Sequence, residues 1–194
     1  MKNTHLAFIL DESGSMESIK NDAIGGYNQY LTEQKDVEGN ASVTLVTFNN
    51  TVTFRTNSEP IANVKALTGR SYKPKGSTAL YDAIGKTINS LGLKFASMVE
   101  SERPGTVIIA ILTDGEENSS VEFTKQQIAD MIQHQSTKYN WKFIYLGANQ
   151  DAFEVGGGLN IDASSTIQFD CNSRGISLAY AATSNMVKSM RQSL

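Results

Sequence analysis

Leu6-Ala7-Phe8-Ile9-Leu10, followed at once by Asp11-Glu12-Ser13-Gly14-Ser15, is the stretch on which the reading of this chain turns. A short apolar run bounded by turn residues reads as a buried strand that ends in a polar loop. An uninterrupted apolar strand needs cover on both faces, as in a parallel sheet flanked by helices, and such sheets present their ligand sites beyond the carboxyl ends of the strands. Asp11, Ser13 and Ser15 therefore fall where ligands bind. One carboxylate and two hydroxyls at alternate positions are hard oxygen donors of the kind that Mg²⁺ or Ca²⁺ takes.

Outward from that stretch, strands and helices alternate. Ile19, Ala23, Ile24, Tyr27, Tyr30 and Leu31 recur at helical spacing and predict a helix over roughly 16–34. Ala41 to Phe48 is β-rich, and Asn49-Asn50 separates it from Thr51 to Thr56, which predicts a hairpin and hence one antiparallel strand. Pro60, Gly69, Pro74 and Gly76 mark a loop, with a short helical piece expected at Ile61 to Leu67. Leu80, Ile84, Thr87, Ile88, Leu91 and Phe95 predict a second long helix, with Ser77 or Thr78 as its N-cap.

Thr106 to Leu112 is apolar almost throughout and also ends near a carboxylate, Asp114. A helix is expected near 124–137, then a strand Trp141 to Leu146, a short helix near 151–156, a strand Thr166 to Phe169, and a closing helix carrying Ala179, Ala182, Met186, Val187 and Met190. This order predicts an α/β, Rossmann-like three-layer sandwich: a central, mostly parallel six-stranded sheet with one antiparallel edge strand and helices on both faces. If strand order reverses after the third strand, the first and fourth become neighbours at a topological switch point, and Asp11 and Asp114 face one another.

The 194 residues suit one domain, residues 1–194, with a sizeable core. The net charge of −3 gives no reason to expect nucleic acid or an anionic membrane as partner. No apolar run approaches the length of a membrane span or of a secretory signal. A lone cysteine, Cys171, excludes an internal disulfide and a cysteine cage, so a reducing, cytoplasmic setting is expected.

Each polar feature has an ordinary explanation when taken singly: turn chemistry for Asp11 to Ser15, a helix cap for Thr78, a turn for Asp114-Gly115. Their convergence on one predicted edge of the sheet has none. Asp11-x-Ser13-x-Ser15, Thr78 within Gly76-Ser77-Thr78-Ala79-Leu80-Tyr81-Asp82-Ala83, and Thr113-Asp114-Gly115 together resemble the von Willebrand factor A domain family and its metal-ion-dependent adhesion site (MIDAS). The resemblance spans the chain. It implies that Ser13 and Ser15 give hydroxyl oxygens to the metal, that Asp11 and Asp114 bind directly or through water, and that Thr78 approaches the metal when ligand is bound. The implied function is recognition of a partner protein's Asp or Glu carboxylate. Mg²⁺ is the expected ion, with Mn²⁺ or Ca²⁺ as substitutes, because few small donors suit octahedral coordination.

Extracellular relatives commonly carry a cysteine pair, which this chain lacks, so the resemblance points toward stand-alone bacterial or phage-type members. Intracellular relatives often act beside AAA+ ATPases, which gives the partner expected by analogy. Lys75, with Lys73, and Glu116, with Glu117, are the candidate rim of the partner site. Gly156-Gly157-Gly158 lacks the spacing of a phosphate loop and reads as a helix end.

Two other functions compete. In a Mg²⁺-dependent phosphoryl-transfer enzyme Asp11 would be the nucleophile, but the acid and base expected two residues on is here Ser13, a poor proton donor. A histidine-dependent hydrolase fares worse, because His5 precedes the strand, roughly 20 Å from Asp11 at strand rise, and His134 sits on a helix. The remaining reading is a scaffold whose metal only fastens the three loops.

Overall fold

The computed structural model describes residues 3–148 and 151–193. Alternate residues of the first strand, β1 (Thr4–Asp11), point to opposite sides of the sheet, and all are buried. Leu6, Phe8 and Leu10 enter one apolar cluster, Ala7 and Ile9 another, as the period of two in a strand requires. β4 (Thr106–Thr113) divides in the same way, with Ile108, Ala110 and Leu112 on the first side and Val107, Ile109 and Ile111 on the second.

With β2 (Ala41–Phe48), β3 (Val52–Pro60), β5 (Lys142–Ala148) and β6 (Thr166–Phe169), these strands form one sheet in the order β3-β2-β1-β4-β5-β6. Every pairing is parallel except β2 with β3, the expected antiparallel edge. The fold is thus the α/β three-layer arrangement read from the sequence. The reversal of order between β1 and β4 opens the switch-point crevice at their carboxyl ends.

The helices α1 (Lys20–Lys35) and α5 (Ser173–Gln192) cover the Phe8 side. Phe8 meets Tyr27 and Tyr30 edge-on at 5.6 and 5.3 Å and stacks on Tyr180 at 5.5 Å. The Tyr180 ring reaches α1 because Gly26 has no side chain: a Cβ there would lie 2.2 Å from the ring. The helices α2 (Leu80–Ser97) and α3 (Lys125–Tyr139) cover the other side through Ile84, Ile88, Ile128 and Ile132. A capping box between Thr124 and Gln127 starts α3, and Asn140, at φ 55, ends it in the left-handed region. The glycine run closes the short helix α4 (Ala152–Gly158), as expected.

Several local expectations are corrected. The predicted helix over 16–34 is a 3-10 turn, Gly14–Ile19, followed by α1: the tight turn buries Met16 and Ile19 together and keeps Ser13 and Ser15 at the strand end. Ile61 to Leu67 is not an α-helix; only a 3-10 turn, Ile61–Asn63, forms, and β3 runs on to Pro60 with a bulged register against β2. Neither Ser77 nor Thr78 caps α2, whose N-cap position is Ala79 with no side-chain bond.

His5 lies within β1, not before it, and is fully buried. Its Nδ1 lies 2.8 Å from Ser42 Oγ, its ring meets Phe95 edge-on at 5.1 Å, and Nε2 has no partner among the described residues. Burial, and then the charge of Lys94, lower its pKa from 6.5 to about 3. The unfolded chain takes up this proton below the ordinary histidine value while the folded chain refuses it. The stability from a neutral His5 is therefore present above that value and lost as pH falls. Between about pH 7.5 and pH 5 the stability of wild type relative to His5→Gln should fall by about 2 kcal/mol, measured by urea unfolding.

Candidate metal centre

Three loops meet beyond the carboxyl ends of β1 and β4. In the first, Asp11 closes β1 and is wholly buried, and both of its carboxylate oxygens are engaged. Oδ1 accepts the Ser13 backbone N–H at 2.7 Å, which bends the chain into a turn, and Oδ2 accepts the Thr113 hydroxyl at 2.6 Å. The Asp11 carbonyl accepts the buried Tyr72 hydroxyl at 2.5 Å. Ser13 is buried, Ser15 is exposed, and their hydroxyl oxygens are 3.1 Å apart.

The second loop is tied to the first. Gly14 N donates to Gly76 O at 3.0 Å, and Lys75 N donates to Glu12 O at 2.9 Å. Gly76 must be glycine: its φ is +75°, and a Cβ there would sit 2.2 Å from Asn50 Oδ1. Thr78 is held by its backbone, its N–H donating to Asn118 Oδ1 at 2.9 Å and its carbonyl accepting from Asn118 N at 3.0 Å. Its hydroxyl has no hydrogen-bond partner among the described residues. Relieved of the expected capping role, that hydroxyl is available to the crevice.

The first turn of α2 is satisfied by the third loop instead. Glu117 accepts Tyr81 N at 3.0 Å, and Ser120 Oγ accepts Asp82 N at 3.1 Å. Glu117 also accepts Ser119 N, Ser120 N and the Ser120 hydroxyl, so it is a loop anchor rather than free surface charge. Asp114 is buried and takes the Ser15 hydroxyl on Oδ1 at 2.6 Å, and the Cys171 thiol lies 3.8 Å from Oδ2. A Cβ added to Gly115 would lie 3.7 Å from Thr78 Oγ1 and 3.8 Å from Ser15 Oγ, so all three loops come within one side chain's reach.

The structure thus brings together Asp11, Ser13, Ser15, Thr78 and Asp114. Lys75 and Glu116 stand apart on opposite rims, Lys75 in a polar cavity with Glu12 and Arg55, and Glu116 in a second cavity with Tyr81, Glu117, Asp151 and Glu154. Thr113, Tyr72, Asn118 and Cys171 support the site without having been singled out for it. Thr113 directly precedes Asp114 in the motif, but nothing in the sequence marks the other three.

The donor set suits a small hard cation. Adjacent oxygens around octahedral Mg²⁺ are about 2.9 Å apart. The Ser13–Ser15 and Ser15–Asp114 separations of 3.1 and 2.6 Å bracket that spacing. A serine hydroxyl can offer a lone pair to a cation while its proton goes to Asp114. The electrostatics agree. Burial raises the Asp11 pKa to about 6, Asp114 adds to the rise, and hydrogen bonds from Thr113 and Ser13 restrain it. Burial likewise raises Asp114. No Lys, Arg or His side chain pairs with Asp11 among the described residues, so a divalent cation would supply the missing charge. Among the described residues no group of three or more His, Cys, Asp and Glu is placed to hold a metal.

No curated protein matches the chain in sequence. Among solved structures it is similar to the vWF domain of the type V pili tip protein Mfa5 from Porphyromonas gingivalis, at TM-score 0.68 and 10% identity over 96% of this chain and 95% of that one. It is similar to the ArnB paralog VWA2 from Sulfolobus acidocaldarius, at TM-score 0.59 and 20% identity over 93% of this chain and 44% of that one. Mussel byssus proximal thread matrix protein 1 with a zinc-occupied MIDAS motif aligns at TM-score 0.66 and 12% identity, over 96% of this chain and 46% of that one. The chain therefore spans under half the length of the last two, and at these identities the likeness is one of fold. Residues 5–154 match the von Willebrand factor type A domain, and with the sheet order and loop placement described above, the chain belongs to that family.

Proposed function

We propose that the chain is a divalent-cation-dependent protein-binding module in which Asp11, Ser13, Ser15, Thr78 and Asp114 hold Mg²⁺ and a partner's Asp or Glu completes the shell. Mn²⁺ or Ca²⁺ are the substitutes of the same chemistry. The observation that carries this reading is the Thr78 hydroxyl, without a hydrogen-bond partner among the described residues, beside the hydrogen-bonded row Ser13, Ser15 and Asp114. When bound, the ion supplies a Lewis-acidic position for an outside oxygen. Asp11 orders the loop through Ser13 N and Thr113, and the buried carboxylates hold the charge. Two carboxylates diluted by hydroxyls leave such an ion attractive to a further anion. The mussel protein of similar fold, whose MIDAS motif is zinc-occupied, supports a divalent ion as the occupant of such a site.

The module reading is preferred to an enzyme. Ser13 stands where a phosphoryl-transfer reaction through Asp11 needs an acid, and its hydroxyl is a poor proton donor. A cytoplasmic setting is proposed from the single cysteine. No helix among the described residues is long and apolar enough to cross a membrane.

The test is fluorescence anisotropy with a labelled Gly/Ser peptide carrying one aspartate. Binding in Mg²⁺ that EDTA reverses is expected. Calorimetric uptake of Mg²⁺ without any Mg²⁺-dependent peptide binding would instead identify the ion as a fastener of the three loops.

A further inference from the structure

Beside the candidate metal centre lies a polar cavity of about 380 Å³ whose charge is opposite to that of the chain as a whole. Arg55, Arg70, Lys73 and Lys75 line it, with Glu12 as its acidic member. Glu12 is buried and already neutralised: its Oε2 takes Arg55 Nη2 at 2.8 Å, and its Oε1 accepts Lys73 N. Arg55 is held further by donating Nε to Thr47 Oγ1 at 2.8 Å. The side chains of Arg70, Lys73 and Lys75 have no ion-pair or hydrogen-bond partner among the described residues. Three unpaired cations thus converge on one concavity of a chain whose net charge is −3.

The cavity and the metal loop form one unit. Glu12 lies between Asp11 and Ser13 in sequence, while its side chain lines the cavity. Lys73 N, Lys75 N and Gly14 N stitch the basic loop to that same segment through Glu12 Oε1, Glu12 O and Gly76 O. An extended segment whose carboxylate reaches the ion therefore has neighbouring residues at the cavity mouth. On the opposite rim, Glu116, Glu117, Asp151 and Glu154 surround the second cavity, so the face is polarised across the metal position. A peptide carrying a second acid is favoured on one side and repelled on the other.

We infer that the basic cavity is a second recognition pocket, taking another anionic group, a carboxylate or a phosphate, on the same partner segment whose carboxylate meets the ion. This rests on the function proposed above and narrows it: the partner carries an acidic pair rather than a single acidic residue. Charge-assisted contacts from an Arg and two Lys give the pocket its affinity, and its place on one side of the metal sets the direction in which the segment lies.

The experiment extends the anisotropy assay to three labelled Gly/Ser peptides: one aspartate, the same with a second aspartate two residues away, and the same with phosphoserine there. These are titrated in Mg²⁺ and in EDTA against wild type and Arg70→Gln/Lys73→Gln/Lys75→Gln. The three substituted side chains are exposed and unpaired, so the variant should fold, which its unchanged Mg²⁺ titration would verify. The second anion should tighten Mg²⁺-dependent binding to wild type by about tenfold over the single-aspartate peptide, and the variant, compared with its own single-aspartate affinity, should lose that gain. The larger gain, aspartate or phosphoserine, identifies the source of the anion. Equal gains in wild type and variant, or no gain in wild type while the single-aspartate peptide still binds in Mg²⁺, would overturn the pocket and leave the metal reading standing. Absence of Mg²⁺-dependent binding by every peptide would overturn both.

Discussion

Replacing Asp11 by Asn is expected to abolish the rise in melting temperature that Mg²⁺ gives the wild type, with the Mg²⁺ dissociation constant rising more than about a hundredfold. The substitution is close to isosteric, and both native contacts survive it. The Asn oxygen can accept Ser13 N, and the Thr113 hydroxyl can turn to accept the amide while donating to Gly115 O, 3.0 Å away. What disappears is the charge.

Burial raises the Asp11 pKa from 3.8 to about 6, so the metal-free folded chain binds this proton more tightly than the unfolded chain does. Its ionised form therefore destabilises the metal-free protein, by about 3 kcal/mol once pH exceeds the folded value, and the effect vanishes below the unfolded one. Metal-free Asp11→Asn should accordingly match or exceed metal-free wild type in stability at about pH 7.5. The same proton competes with the cation, so wild-type Mg²⁺ affinity should climb as pH rises through about 6 and then level off. Thermal scans with and without Mg²⁺ at two pH values measure all three effects. An undiminished Mg²⁺ response in the variant would remove Asp11 from the site.

Asp82→Ala is expected to lower stability by about 3 kcal/mol in urea unfolding. Asp82 is buried at the start of α2, and its carboxylate accepts three backbone N–H groups, from Val121, Glu122 and Phe123, at 3.0, 2.9 and 3.0 Å. Alanine leaves those donors without their acceptor. It also frees the segment that packs the Phe123 ring over Gly85, where a Cβ would lie 2.7 Å from the ring. That segment carries Asn118, which holds Thr78 by two hydrogen bonds. The folded variant should therefore also bind Mg²⁺-dependent ligands several-fold less tightly, whereas Asp82→Asn, which keeps one acceptor, should fall between. A loss below about 1 kcal/mol would mean that the third loop holds its shape without Asp82.

Asp11 and Asp114 were legible because both follow unbroken apolar strands, and two-sided burial is written into such runs. Their adjacency depended on the strand order, which the alternation of strands and helices allowed but did not dictate. Thr78 does not cap α2, although a Thr ahead of an apolar helical pattern carries the same signal whether it caps the helix or faces a ligand. The true caps of α2, Glu117 and Ser120, lie 36 and 38 residues from the groups they bind, beyond any local pattern. Asn118, Tyr72, Cys171 and the Glu12–Arg55 pair are hidden for the same reason: such polar residues take their meaning from partners that only the folded sheet brings near. Lys73 and Lys75 could be seen as charges, but not as a pocket, because Arg55 comes from the antiparallel edge strand and Arg70 from a turn ahead of them.

The most direct measurement of the central claim is a crystal structure grown in Mn²⁺ with anomalous data at the manganese edge. One anomalous peak is predicted, in direct contact with the Ser13 and Ser15 hydroxyls and bounded by Asp11, Asp114 and Thr78. A well-ordered crystal with no peak between those groups, or with manganese bound only elsewhere, would contradict the account.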